Sequence, residues 1–144
     1  MNRTLVASAL AAVLLPVAAQ ADPDLKHGSK LFHMFCSDCH KIANENGGSD
    51  PDLNGVVGRP AGSIPGFQYS AAMRASAAAG LVWTPENLDA WLLKPANFMP
   101  GTDMSFLYGF PHESDRQDLI AYIETFSPDY KPEAPAPTQP GTQP

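Results

Sequence analysis

The 144 residues contain two cysteines, Cys36 and Cys39, with Ser37 and Asp38 between them and His40 directly after. Cys-x-x-Cys-His is the spacing of covalent haem attachment. Each thiol can add to one porphyrin vinyl group, and two intervening residues match the separation of the vinyls along one edge of the ring. The next residue is then held under the iron and can bind it through an imidazole nitrogen. Three other chemistries use such cysteines. A thioredoxin-like redox pair expects a βαβ setting, which is absent here. A zinc site needs two more ligands at short spacing; there is no third cysteine, and His27 and His33 are not so placed. A disulfide is the first thought in an exported chain, but so short a loop adds little and gives His40 no role.

An iron held by His40 needs a second axial ligand or an open face. The candidates are His27, His33, His112, Met34, Met73, Met99 and Met104. His27 and His33 precede the motif and start on the wrong side. Met34 and Met73 sit in helical stretches, where methionine usually fills core. Met99 and Met104 flank Pro100-Gly101-Thr102-Asp103, a turn that can aim a thioether back at the iron. Spacing leans to Met104 but leaves both open.

The elements that must position these groups read as helices and loops, with no alternating strand. Leu31, Phe32 and Phe35 form an apolar stripe before Cys36, so a short helix should end at the motif. Thr84-Pro85-Glu86 starts another: a capping hydroxyl, proline in the first turn, then an acid. It carries Leu88, Trp91 and Leu92 on one face and stops before Pro95. Ser114-Asp115-Arg116-Gln117 reads as a capping box opening a third helix, with Leu119, Ile120, Ile123 and Phe126 on one face, ending near Ser127-Pro128. A weaker helix covers residues 71–79. Two long loops rich in Gly, Pro and Asn, 43–66 and 95–112, make sense if they wrap a large group that replaces missing core.

Both ends lie outside this domain. Residues 1–21 have a single charge at Arg3, an uncharged run and Ala19-Gln20-Ala21, the order of a secretory signal peptide cleaved after Ala21. The run is short for a membrane span. The domain is expected over 22–127. Residues 128–144 hold six prolines and are expected to be an extended, disordered tail. The whole chain has a formal charge of −6, and losing Arg3 makes it −7. Phosphate backbones and anionic membrane surfaces repel such a protein, which disfavours nucleic-acid binding and strong membrane binding.

The sequence resembles the class I cytochromes c, the group of mitochondrial cytochrome c and bacterial cytochrome c2. The likeness lies in Gly28, Phe32 and Cys36-Ser37-Asp38-Cys39-His40, then Pro51-Asp52-Leu53-Asn54-Gly55-Val56-Val57-Gly58-Arg59. It continues through Gly66-Phe67-Gln68-Tyr69-Ser70, Gly80-Leu81-Val82-Trp83, Pro100-Gly101-Thr102-Asp103-Met104 and Arg116-Gln117-Asp118-Leu119-Ile120-Ala121-Tyr122. It implies an all-α cytochrome c fold, short helices and long loops wrapped around one covalent haem c. His40 and Met104 become the axial ligands and Met99 falls back to packing. His/Met ligation is the general cytochrome c arrangement and raises the potential. Pro51 resembles the proline whose carbonyl accepts the free ring N–H of the haem histidine. Arg59, Tyr69, Trp83 and Thr102 match donors to the haem propionates. Phe106 matches the aromatic covering the haem edge, and Gly28 with Tyr122 match the crossing of the first and last helices.

What the resemblance implies functionally is a periplasmic one-electron carrier, not an enzyme. It would be monomeric, and would run between a quinol-oxidising complex or dehydrogenase and an oxidase or reductase. The alternatives are a haem enzyme or gas sensor with a displaced Met104, and a fixed subunit tethered by the tail. The departures matter. Trp91 stands where a tyrosine is common and Met73 where an asparagine is, which makes the pocket drier. Phe35, Ala96, Asn97 and Asp103 stand where mitochondrial relatives carry lysines around the haem edge. The expected partner surface is therefore apolar or mildly basic.

Overall fold

The computed structural model describes residues 22–43 and 48–131. The expected signal peptide and the tail beyond Lys131 lie outside the described residues. In chain order the elements are α1 (Leu25–Phe35), α2 (Ala71–Ala78), α3 (Pro85–Leu93), α4 (Pro95–Phe98), a 3-10 turn (Asp103–Phe106) and α5 (Glu113–Glu124). Among the described residues the only β pairing is an isolated antiparallel bridge between Pro60 and Val82.

Side-chain caps start three of the helices. Asp24 accepts from the Lys26 and His27 N–H groups at 2.9 and 3.0 Å and begins α1. Ser70 accepts from Met73 N at 3.2 Å and begins α2. Thr84 accepts from Asn87 N at 3.2 Å and begins α3, with Pro85 and Glu86 in its first turn as the sequence implies. The capping box expected at Ser114 is not what opens α5. That helix begins at Glu113, with His112 in the cap position and no side-chain cap bond. Glu113 and Asp115 in the first turn suit the helix dipole instead, and Gln117 Nε2 donates to Glu113 Oε1 at 2.8 Å. The helix closes at Glu124, earlier than expected, where Thr125 Oγ1 donates to Tyr122 O at 2.6 Å.

Helices α1 and α5 cross, and the crossing needs a glycine. A Cβ on Gly28 would stand 2.0 Å from Asp118 O and 2.9 Å from Tyr122 Cβ. The fully buried Phe32 ring packs beside Tyr122, centroids 5.8 Å apart. Asp118 pins the N-terminal end of α1: its Oδ1 accepts from Asp24 N and its Oδ2 faces His27 Nδ1, both at 2.8 Å. Leu31, Leu119, Ile120 and Ile123 join Leu88, Trp91 and Leu92 of α3 in one core. Phe35 departs from the expected stripe. It is 52% exposed, because α1 has passed the edge of α5 there, and its ring packs on Phe110 at 5.3 Å.

Arg116 holds the other side. It is buried, and its Nε and Nη2 donate to the Asp89 carboxylate at 2.8 and 3.3 Å. Its Nη1 donates to Phe110 O at 2.9 Å and Pro111 O at 3.2 Å. One guanidinium thus ties α5 to α3 and to the loop before α5, and its charge is matched where it is desolvated.

Candidate haem site

Residues 36–40 make a tight turn as α1 ends. Cys39 N and His40 N both donate to Cys36 O, at 3.1 and 2.8 Å. This turn places Cys36, Cys39 and His40 at the wall of a largely apolar cavity enclosing about 1290 Å³ of space, its open mouth included. Pro51, Arg59, Tyr69, Trp83, Thr102, Met104 and Phe106 line the same cavity. All ten residues predicted for the site are therefore brought together, although they span 71 positions of the chain. Phe67, Met73, Leu88, Trp91, Leu92 and Leu107 supply much of the remaining apolar surface.

His40 is held by one contact. Its Nδ1 lies 2.8 Å from Pro51 O. A carbonyl oxygen only accepts, so Nδ1 carries the proton and Nε2 keeps the lone pair a metal needs. The loop bearing Pro51 is tied back by Leu53 N to Lys41 O at 3.0 Å and by a two-way bond between Asn54 and the Ala43 backbone.

The candidate sulfur ligands separate cleanly. Met99 is 3% exposed and packs in the core, away from the cavity lining. Met34 is exposed on α1. Met104 is at the wall, on the 3-10 turn that Thr102 caps by accepting from Met104 N at 3.3 Å. The turn before it needs Gly101, whose φ of +87 a side chain would resist. Met73 also reaches the cavity, from α2. Its helical setting alone suggested core filling; the resemblance had placed it in the pocket, and this face of α2 does look inward. Of the histidines, His27 is engaged with Asp118, while His33 and His112 are on the surface.

The donor set suits a large apolar group with carboxylates. Arg59 donates to Asn54 O at 3.1 Å and Asp52 O at 2.9 Å. No carboxylate pairs with it among the described residues, and burial lowers its pKa. Asp52 lies near enough to favour the charge but makes no ion pair with it, so a partly desolvated guanidinium is left with capacity for a carboxylate in the cavity. The Trp83 indole has no acceptor among the described residues, yet no fully buried side-chain N or O is left without a partner there. Trp83 lines the cavity, where its N–H is available as a donor. Tyr69 Oη accepts from Ile64 N at 3.3 Å, which leaves its proton to give.

The rival readings of the cysteines fit poorly. The two thiols are not bonded to each other. Burial pushes the Cys36 thiol up to about 12, and burial with Asp50 and Asp38 nearby raises Cys39. A redox-active CxxC pair requires the opposite shift. Among the described residues no three of His, Cys, Asp and Glu gather as a zinc site would need.

The sequence pattern of the cytochrome c family matches residues 25–127. The chain belongs to the cytochrome c family. It is an electron-transfer protein with one covalent c-type haem. Among relatives, it is 42% identical to the c-type cytochrome cy of Rhodobacter capsulatus over 115 residues, 76% of this chain and 55% of that one. The chain thus spans about half the length of that relative. It is 42% identical to cytochrome c-550 of Ancylobacter novellus, covering 71% of this chain and 94% of the other. Among solved structures, cytochrome c2 of Rhodospirillum centenum superposes with a TM-score of 0.65 at 36% identity, over 73% of this chain and 99% of that one. The helical cytochrome c fold expected from the sequence is the one observed. Among the described residues no helix is long and apolar enough to cross a membrane.

Proposed function

We propose that this cytochrome c is a periplasmic one-electron carrier with His40 and Met104 as axial ligands. The observation that carries the reading is the shared cavity: a tautomer-fixed His40 and the Met104 turn face one apolar space, with both cysteines at its edge. The haem, when bound, supplies an iron that gains and loses one electron. The chain does the rest. Cys36 and Cys39 anchor the ring as thioethers. Pro51 O orients the imidazole. Arg59, Tyr69, Trp83 and Thr102 offer donors to the propionates, and Trp91 with Met73 keeps the pocket dry. A neutral thioether favours the ferrous state, and two protein ligands leave no place for oxygen or peroxide, which suits a carrier.

The electron port is the cavity mouth by Phe106, which is 70% exposed. Around it lie exposed Phe35 and the carboxylates of Asp50 and Asp103. Such a rim fits a partner that is apolar or mildly basic. The donor would be a quinol-oxidising complex or dehydrogenase and the acceptor an oxidase or reductase, with export directed by residues 1–21. Electron transfer to a strongly acidic protein partner should be slow at low ionic strength and gain nothing from it. A fast transfer that slows steeply with added salt would contradict this docking face.

A further inference from the structure

Four hydrogen bonds among the described residues join the chain leaving His40 to the loop bearing Pro51. His40 Nδ1 donates to Pro51 O at 2.8 Å, and Leu53 N donates to Lys41 O at 3.0 Å. The other two belong to one side chain. Asn54 Oδ1 accepts from Ala43 N at 2.8 Å, and Asn54 Nδ2 donates to Ala43 O at 3.1 Å. The carboxamide thus stands in for a peptide group and satisfies both backbone polar groups of Ala43.

Ala43 needs such a partner. Its φ is +55, and among the described residues it is the one non-glycine with a positive φ. The alanine Cβ crowds the backbone in that region, so the conformation persists only where the surroundings hold it. Ile42 is fully buried, which anchors that side chain but leaves the next residue's φ to other contacts.

The position suits an amide and no charged group. Asp52 Oδ1 accepts from Asn54 N and from Asn54 Nδ2, both at 2.7 Å. A carboxylate only accepts, so the Asn54 nitrogen faces Asp52 and its oxygen faces Ala43 N. Both amide hydrogens and the oxygen are then used. The backbone of the same residue reaches a cavity group, because Asn54 O accepts from Arg59 Nη1 at 3.1 Å.

We infer that Asn54 is a positioning residue for the haem histidine: its carboxamide fastens the strained backbone at Ala43 to the Pro51 loop and so keeps Pro51 O on the His40 ring N–H. The inference rests on the reading of His40 as an axial ligand. Aspartate at this position would set a carboxylate against Ala43 O and the Asp52 carboxylate, with no hydrogen between them. Alanine would leave both polar groups of Ala43 to water. In either case the two segments part more often, and each opening exposes the His40 Nδ1 proton to solvent. The exchange rate of that proton therefore reads the fastening directly.

The test is NMR of the isotope-labelled ferrous holo-protein, following the His40 ring N–H in Asn54→Ala, Asn54→Asp, Ala43→Gly and the Ala43→Gly/Asn54→Ala double variant. Asp24→Ala, which removes the cap of α1 and touches neither segment, controls for lost stability alone. The proton should exchange equally slowly in the wild type and in Asp24→Ala. Asn54→Ala should speed it on the order of tenfold, the net worth of about one hydrogen bond, and Asn54→Asp should speed it further. Ala43→Gly removes the strain that the carboxamide restrains, so the loss of Asn54 should speed exchange less in that background. The double variant, compared with Ala43→Gly, carries the test if the single Asn54 variants do not fold. Exchange in the folded Asn54 variants no faster than in Asp24→Ala, with an intact iron–sulfur band, overturns the inference and leaves the ligand reading standing. Equal acceleration with and without Ala43→Gly overturns it as well. A wild type whose His40 ring protons lack the upfield ring-current shift of an iron-bound imidazole overturns the ligand reading and this inference together.

Discussion

At the residue scale the site depends on a few contacts that fix otherwise mobile groups. The His40 imidazole could turn freely on its side-chain bonds, and the 2.8 Å contact with Pro51 O decides both its direction and its tautomer. Met104 owes its place to Thr102 and Gly101, since the capped 3-10 turn aims the thioether inward. The two methionines flanking that turn should therefore respond differently to truncation. Met104→Ala should abolish the iron–sulfur band and open the iron to carbon monoxide, with only modest loss of stability. Met99→Ala should keep the band and lose roughly 2–5 kcal/mol, the range for emptying a buried methionine site. Optical spectra and urea unfolding of the two variants separate these outcomes. If Met99→Ala loses the band while Met104→Ala keeps it, the ligand assignment is wrong.

At the element scale, what could be read from the sequence was what short-range chemistry decides. The Thr84 cap, the Pro85 start and the stop before Pro95 are all local, and α3 begins and ends accordingly. The start of α5 was misread because Ser114 looks like a cap only while its neighbours are ignored. In the fold Arg116 is buried against Asp89 and the 110–111 carbonyls, and the helix starts at Glu113 to bring it there. The inward face of Met73 and the exposure of Phe35 could not be read from helical periodicity and came only with the family resemblance, since both depend on where other elements lie. The α1–α5 crossing gives a test in which two effects oppose each other. Alanine is the better helix former by about 1 kcal/mol, so propensity alone predicts that Gly28→Ala stabilises. The added Cβ would meet Asp118 O at 2.0 Å, and backbone cannot swing aside as a side chain can. Overpacking of this kind costs on the order of 3 kcal/mol, so the variant should be clearly destabilised in thermal unfolding. A variant as stable as the parent would mean that the helices do not cross this closely.

At the scale of the whole molecule, helices α1, α3 and α5 make a scaffold, and the loops between them supply most of the cavity wall. Such loops would be a liability in a domain of this size without something large to pack on. The same wrapping explains why spacing alone named only Cys36, Cys39 and His40, while the other site residues and their gathering around one group came from the family resemblance. The acidic charge of the chain acts at this scale too: it repels anionic surfaces, in keeping with the docking proposed at the apolar rim near Phe106. The tail offers a division of labour that can be measured. Deleting residues 132–144 should leave the spectrum and potential unchanged, because every site residue lies before them. If that deletion preserved redox chemistry but abolished turnover with a purified partner complex, the protein would be a tethered subunit rather than a free carrier.

The central claim is that His40 and Met104 together close the iron to outside ligands. The optical spectrum of the purified holo-protein tests it most directly, ferric and ferrous, with and without carbon monoxide. With both ligands in place, the ferric form should show a weak long-wavelength iron–sulfur band and carbon monoxide should leave the ferrous spectrum unchanged. A missing band together with ready carbon monoxide binding would contradict it, and would make the protein a haem enzyme or gas sensor with an open sixth site.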